Sequence, residues 1–434
     1  MKNKKPSVAL IFGGAGREHS VSLCGAPYLY SLIDKEKFNV IPILIEQDGT
    51  AVSAQISASG EISTSETAAH LFRMFGRGGV IIDGDFIPLA AAIPLLHGDL
   101  GEDGTVQGAL TSVGVPYVGC DIFAGSLCLD KIFTKIIAEH LGIPVARYRT
   151  VISGENPFSL GRKEAETPKN CDTSGDFNPH NKQISPAYDE QNAPYCGEQN
   201  ALSFDDQSAL SCGEKNINIS LSQINDIEAN LGYPLIVKPA RLGSSVGIST
   251  AKTRDELISA IKKASFAAKD GRVLVEELLP VEAEAECAVY LSRDERIFTS
   301  PGTIRLGGAV YDYESKYGSP EDQHQMRNGR SEYNFNPAKK AEKSADQKIS
   351  ADGKLPREQA ELIKEWSERL SSFIGIRHLS RIDFFITRDN KIIFNEINTF
   401  PGFTADSLYP KLLSLAGIDP AKAANAWLCE VAGI

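Results

Sequence analysis

The chain has 434 residues, 42% apolar and 23% charged, enough for several hydrophobic cores and about three domains of ordinary size. Its 45 Lys and Arg against 56 Asp and Glu leave a net charge of −11, the wrong sign for a partner of nucleic acid or anionic lipid, so any phosphate handled here is expected on a small ligand. Cys24, Cys120, Cys128, Cys171, Cys196, Cys212, Cys287 and Cys429 form no C-x-x-C pair and meet no His at zinc spacing, which excludes a disulfide framework or metal knuckle and reads as reduced cytoplasmic thiols.

Lys2, Lys4 and Lys5 precede the apolar run Val8 to Phe12, but that run stops at Gly13-Gly14, short of the roughly seven residues of a signal-peptide core. No run approaches the ~20 residues of a membrane span, so no membrane association is expected. Residues 7–12 read as a buried strand, Gly13 to Gly16 as a tight turn, Ser20 to Leu32 as a helix and Val40 to Ile45 as the next strand, a βαβ unit with a parallel sheet. The apolar run Pro88 to Leu96 leads into a glycine-punctuated loop, His97 to Gly108, that opens a helix. From Asp130 to Leu141 the spacing of Ile132, Ile136, Ile137 and Leu141 predicts another helix, stopped by Gly142 and Pro144.

Residues 154–216 hold one Ile, three Leu and no Val in 63 positions, too little apolar area to offset their ordering entropy. They read as a flexible insertion carrying a short duplication at Cys196 and Cys212, or as a tether for a partner. Pro234 to Pro239 then reads as a strand leading to Gly243-Ser-Ser-Val-Gly247, and Arg272 to Leu279 as another. Asn336 to Leu355 is a second polar surface loop. Pro356 starts a helix with Ile363, Trp366, Leu370 and Phe373 on one face, ended by Gly375.

The last two strands carry the most legible chemistry. In Ser380 to Ile386, alternation sets Arg381 and Asp383 on one face and Ile382, Phe384 and Ile386 on the other. A two-residue turn at Asp389-Asn390 would put Asp383 opposite Glu396 and Arg381 opposite Asn398. Two carboxylates about 5 Å apart repel unless a cation lies between them, and Asp, Glu and Asn are hard oxygen ligands of the kind that hold Mg²⁺ with substrate phosphates. The plainer alternative is a solvated face with opposite charges nearby.

Behind Lys238, the Gly243 to Gly247 loop offers backbone N–H groups and the hydroxyls of Ser244 and Ser245 to an anion. The same residues fit the Gly-x-Ser-x-Gly elbow of a hydrolase with Ser245 as nucleophile, but Pro239 to Leu242 separate that turn from its strand. Gly14-Ala-Gly16 falls short of a dinucleotide fingerprint because His19 stands at the third glycine position, and no P-loop motif occurs. Glu18 is then an acid at a helix start, favoured there by the dipole. His97 is a satisfied buried histidine or a site residue, Lys131 and Lys316 are surface or site lysines, and Tyr311 to Tyr317 is too polar for a buried strand yet too aromatic for an ordinary loop.

Phe12 to Ser22, His97 to Gly108, Leu129 to Lys131, Val237 to Gly247, Glu276-Glu277, Tyr311 to Tyr317, Arg381 to Asp383 and Asn395 to Gly402 through Ser407-Leu408 together resemble, in this order, the D-alanine:D-alanine ligases of the ATP-grasp superfamily. The resemblance implies an α/β ATP-grasp fold: a Rossmann-like parallel-sheet domain at 1–125 that binds D-alanine, and two α+β subdomains clasping ATP, the central one at 126–279 and the catalytic one at 280–434. It implies ADP-forming ligation of two D-alanine molecules for peptidoglycan precursors by a cytoplasmic homodimer using ATP with two Mg²⁺ or Mn²⁺ ions. D-Serine or D-lactate as second substrate is the alternative; a non-catalytic binding module is the remote one.

By position, Lys131 and Lys238 match the family's lysines on the nucleotide phosphates, with Ser245 beside them. Glu276, Glu277, the main chain at Leu279 and Glu284 match its adenine and ribose contacts, and Asp383, Glu396 and Asn398 its metal ligands. Glu18 would hold the first D-alanine's ammonium, linked to Ser244 and Tyr317, while Arg381 and the N–H of Gly402 would stabilise the tetrahedral oxyanion. Lys316, Ser407 at a helix start and Leu408 would meet the second D-alanine, and His97 matches the active-site histidine. Departures are Gly16, where many relatives carry Ser, the foreign insertion, and the polar stretch after Tyr317 expected to hold a lid, with Tyr333 and Asn336-Pro-Ala338 resuming the pattern. Tyr317 favours D-alanine as the acceptor.

Overall fold

In the computed structural model, which describes residues 5–16, 18–74, 76–152, 219–243, 246–268, 270–305, 325–327, 330–332, 349–350 and 355–434, the first apolar run forms β1 (Ser7–Gly13), buried throughout. α1 (His19–Leu32) crosses over to β2 (Asn39–Ile45), which pairs with β1 in parallel as the alternation predicts. β3 (Ala51–Ile56), β4 (Ile62–Met74), β5 (Arg77–Ile82) and β6 (Asp85–Pro88) follow through short turns, and β7 (Ala91–Leu95) returns beside β1. The order is β6-β5-β4-β3-β2-β1-β7. Among its strands, β2, β1 and β7 pair in parallel; short connections allow only hairpins, so β3 to β6 extend the sheet antiparallel.

α2 (Thr105–Val113) begins inside the glycine-punctuated loop, because Gly104 at φ 91° turns the chain into the helix before Gly108. α3 (Ile122–Leu129) and α4 (Lys131–His140) are capped by Asp121 and Asp130, whose carboxylates accept main-chain N–H groups of the first turn. On α4 the apolar stripe corrects in one place. Ile136 is 47% exposed, while the charged Lys135 is buried, since the side of the helix bearing Lys131 and Lys135, one turn apart, faces the sheets.

β8 (Tyr148–Ile152), α5 (Leu221–Leu231), β9 (Leu235–Pro239), β10 (Ser249–Ala251), α6 (Arg254–Ala267) and β11 (Arg272–Glu277) build a four-stranded antiparallel sheet ordered β10-β9-β11-β8. β12 (Val281–Leu291), β13 (Arg296–Phe298), β14 (Gly302–Arg305), the hairpin β15 (Gln325–Arg327) and β16 (Arg330–Glu332), and β17 (Ile349–Ser350) come next. α7 (Arg357–Ile374), β18 (Leu379–Thr387), β19 (Ile392–Asn398), α8 (Leu408–Leu415) and α9 (Pro420–Ala432) complete the chain. The third sheet runs β17-β14-β12-β18-β19, with β13 beside β12.

α7 ends as predicted at Gly375, φ 83°, but its buried face is Ile363, Trp366, Leu370 and Ile374. Phe373 is 54% exposed, because one full turn beyond Leu370 falls on residue 374. Among the described residues Cys24, Cys120, Cys128, Cys287 and Cys429 are free thiols, and no helix is long and apolar enough to cross a membrane. The insertion 154–216 with its duplication, Tyr333 with Asn336-Pro-Ala338, and nearly all of the tract from Asn336 to Leu355 lie outside the described residues.

Candidate active site

The hairpin of β18 and β19 sets Arg381 opposite Asn398 and Asp383 opposite Glu396, the pairing read from the sequence. It gets there by a different route. The connection is a three-residue loop, Arg388 to Asn390: Thr387 N–H donates to Lys391 O at 3.0 Å and Asn390 sits at φ 61°. That shifts the ladder by one residue, so Phe384 faces Phe394, until a bulge at Asn395 shifts it back between Phe384 and Asp383. The bulge also reverses the phase of β19. Ile392, Phe394 and Ile397 enter the core, and Glu396 and Asn398 join Arg381 and Asp383 on the open face.

On that face Arg381 grips Asp383 with two bonds, Nε to Oδ1 at 2.8 Å and Nη2 to Oδ2 at 2.6 Å, and its Nε also lies 2.9 Å from Glu286 Oε2 on β12. Asn398 Nδ2 donates to Asp383 Oδ2 at 3.0 Å, and Lys131 Nζ, at the start of α4, lies 3.4 Å from Glu396 Oε2 while donating to Leu242 O at 2.7 Å. The facing carboxylates are thus neutralised by this chain's own cations. Two carboxylates and an amide oxygen on one face of adjacent strands remain a donor set suited to a hard divalent ion that also binds phosphate.

A second charged cluster lies between α4 and the four-stranded sheet. Lys135 and Lys238 each place Nζ 2.7 Å from one oxygen of Glu276, and all three side chains are at most 7% exposed. Burial alone would raise the pKa of Glu276, but the two ammonium groups outweigh it and hold the carboxyl at about 2. Burial also lowers the pKa of Lys135 despite Glu276. Lys238 stands 5.9 Å over the ring of Phe385, which lies opposite Glu284 in the ladder and links this cluster to the first. At the end of β11 Glu277 accepts Arg147 Nε at 2.8 Å and Arg147 N–H at 2.9 Å, and Leu279 O accepts Val281 N–H at 2.9 Å in the bend from β11 to β12.

Two loops converge on Glu18, the N-cap of α1: a Cβ added at Gly98 would sit 1.9 Å from its Oε2, and one added at Gly243 would sit 3.0 Å from its Oε1. Glycine at Gly98 and Gly243 therefore leaves room for this carboxylate. His97 is buried, its Nε2 has no hydrogen-bond partner among the described residues, and burial lowers its pKa against the opposing charge of Glu102, leaving a neutral ring at pH 7. A satisfied core histidine does not describe it. Ser407 is the N-cap of α8 as expected, but its Oγ accepts Thr404 N–H at 3.0 Å instead of capping its own helix, and an added Cβ at Gly402 would meet that Oγ at 3.3 Å. Leu408 is buried at the helix start. Ser244, Ser245, Lys316 and Tyr317 lie outside the described residues.

The sequence reading passed over three residues. Glu102, inside the His97 to Gly108 motif, accepts Thr399 N–H at 3.0 Å and Phe400 N–H at 3.1 Å with one oxygen and Gly98 N–H at 3.0 Å with the other, fastening two loops of the site together. Lys135 sits one helical turn after Lys131, and Glu286 two strand positions after Glu284, so each shared a face with a residue already singled out. An open cleft of about 1140 Å³ lined by Tyr117, Phe123, Arg293, Arg377 and His378, among others, contains none of the predicted site residues.

Family models described as D-ala D-ala ligase N-terminus and D-ala D-ala ligase C-terminus match residues 7–120 and residues 211–346 and 323–426. The chain is 31% identical over 427 residues to a protein named D-alanine–D-alanine ligase from Caldicellulosiruptor bescii, covering 95% of this chain and 92% of the relative. It is 30% identical over 427 residues to one of the same name from Chlorobium phaeovibrioides, covering 96% and 94%. Among solved structures, the VanG D-Ala:D-Ser ligase from Enterococcus faecalis superposes with a TM-score of 0.67 at 26% identity over 99% of both chains. D-alanyl-alanine synthetase A from Vibrio cholerae gives 0.66 at 24% identity over 99% of both, a likeness of fold.

Proposed function

Because the chain belongs to the D-alanine–D-alanine ligase family, we propose that it joins two D-alanine molecules into D-alanyl-D-alanine for peptidoglycan precursor synthesis, driven by ATP. The observation that carries this reading is the assembly of Arg381, Asp383, Glu396 and Asn398 on one half-open face, with Lys131 reaching it from α4.

A carboxylate is a poor electrophile, so the first D-alanine is activated by transfer of the γ-phosphoryl group to its carboxylate oxygen, giving an acyl phosphate and ADP. The neutral amine of the second D-alanine adds to that carbonyl, and phosphate leaves from the tetrahedral species. The chain's task is positioning and charge stabilisation. Glu18 holds the first ammonium, Lys131 and Lys238 with Ser245 meet the phosphates, and Glu276, Glu277, Leu279 and Glu284 frame the base and ribose. Arg381 and the Gly402 N–H take the oxyanion, and Lys316, Ser407 and Leu408 receive the second substrate beside His97, with Ser244 and Tyr317 completing the Glu18 network. Asp383, Glu396 and Asn398 fit Mg²⁺ or Mn²⁺, two ions in the full reading, which would neutralise phosphate charge. We read 1–125, 126–279 and 280–434 as the working units of a cytoplasmic homodimer.

Phosphate release from ATP and Mg²⁺, measured with D-alanine, D-serine, D-lactate or no acceptor, tests the reading. D-Alanine is expected to give the fastest release together with dipeptide. Faster release with D-serine would favour the second reading that the likeness to a D-Ala:D-Ser ligase supports. Arg381→Ala is expected to lower ligation at least about a hundredfold with unchanged circular dichroism, and full activity in that variant would refute the assignment.

A further inference from the structure

β12, β18 and β19 lie side by side, and their registers set Glu286, Asp383 and Glu396 in one row across the sheet. Three carboxylates in a row repel, and Arg381, one row away, ties two of them: its Nε lies 2.8 Å from Asp383 Oδ1 and 2.9 Å from Glu286 Oε2, and its Nη2 lies 2.6 Å from Asp383 Oδ2. Oδ2 of Asp383 accepts both Arg381 Nη2 and Asn398 Nδ2 and Oδ1 accepts Arg381 Nε, so a divalent ion reaching Asp383 competes with the guanidinium for that carboxylate and repels it by like charge. A half-buried guanidinium released in this way swings unless another carboxylate keeps hold of it. Glu286 stands on the side of β18 away from β19 and Glu396, and its side chain is 6% exposed, against 20% for Arg381.

We propose that Glu286 is the positioning residue of Arg381, retaining the guanidinium while Asp383 exchanges it for the divalent ion, so that the same arginine stays aimed at the reacting carbonyl. This rests on the reading of Asp383 as a metal ligand and Arg381 as the oxyanion partner. Glu286 acts through Arg381 and touches neither ion nor substrate.

The test is a double-mutant cycle in the full chain, read by Mn²⁺ affinity in the presence of a non-hydrolysable ATP analogue, using the electron paramagnetic resonance signal of free Mn²⁺, and by turnover. Glu286→Gln is expected to weaken Mn²⁺ binding about tenfold, because Arg381 then leans harder on Asp383, and to lower kcat about tenfold with KM for ATP and D-alanine little changed. In an Arg381→Met background the same substitution is expected to leave Mn²⁺ affinity unaltered. Equal weakening in both backgrounds would mean that Glu286 acts only as a nearby charge, and no weakening in either would remove its role; each overturns the proposal. Should Glu286→Gln fail to fold, Glu286→Asp keeps the charge but draws it back by one methylene, and is expected to retain Mn²⁺ affinity while losing turnover; unchanged turnover there overturns it as well. Full ligation by Arg381→Met would instead sink the functional reading, whereas its loss beside an unaffected Glu286→Gln sinks this inference alone.

Discussion

Glu276 and Asp383 are both carboxylates gripped from two sides, and they differ in what their surroundings allow them to release. The side chains around Glu276 are 2% exposed at Lys135 and 7% at Lys238, so a lost partner there cannot be replaced by water. Around Asp383 the exposure rises to 20% at Arg381, and it reaches 27% at Glu396 opposite. An interior charge without its partner costs several kcal/mol, whereas a partner exchanged at a half-open face costs far less because water and incoming ligands share the load. Burial thus separates a cluster that anchors the fold from one that can trade its partners during a reaction.

Asp383→Ala strips the open cluster of the carboxylate that Arg381 and Asn398 share, and ligation is expected to fall at least about a hundredfold in the phosphate-release assay. Retained activity would mean that the open cluster plays no part in the reaction. Substitution in the closed cluster should be felt in stability as well as in nucleotide binding. Glu276→Ala leaves two buried ammonium groups unpaired and is expected to cost about 3–5 kcal/mol in urea unfolding, well above the cost of Asp383→Asn; equal costs would erase the distinction.

The smallest effect is the pH dependence of that anchor. The carboxyl of Glu276 is held at about 2, below its ordinary 4.5, so its stabilisation is complete above the ordinary value and is lost as pH falls toward 2, about 3 kcal/mol in all. The stability difference between the wild-type chain and Glu276→Gln should therefore shrink between pH 5 and pH 2, and a constant difference would contradict the anchoring role.

Local periodicity made β1, α1, β2, the end of α7 at Gly375 and the two faces of β18 legible from residue types alone. The pairing of Asp383 with Glu396 came out as expected through two features that alternation does not carry: the three-residue loop closed by Asn390 and the bulge at Asn395 offset each other. On α7 the three- and four-residue steps from Leu370 are equally apolar and only the neighbouring elements select Ile374 over Phe373, while on α4 those elements select the charged Lys135 over Ile136.

By itself the sequence determined the family, the βαβ start and the residues of the catalytic hairpin, because these depend on side-chain type and on spacings of a few positions. The tertiary structure alone decided that Lys135 and Glu286 are interior charges and that Glu102 fastens the loop at Gly98 to main-chain groups 297 and 298 positions away. A polar side chain goes inside only where another element brings the group that satisfies it, and such a partner leaves no mark on the residues next to it in the chain.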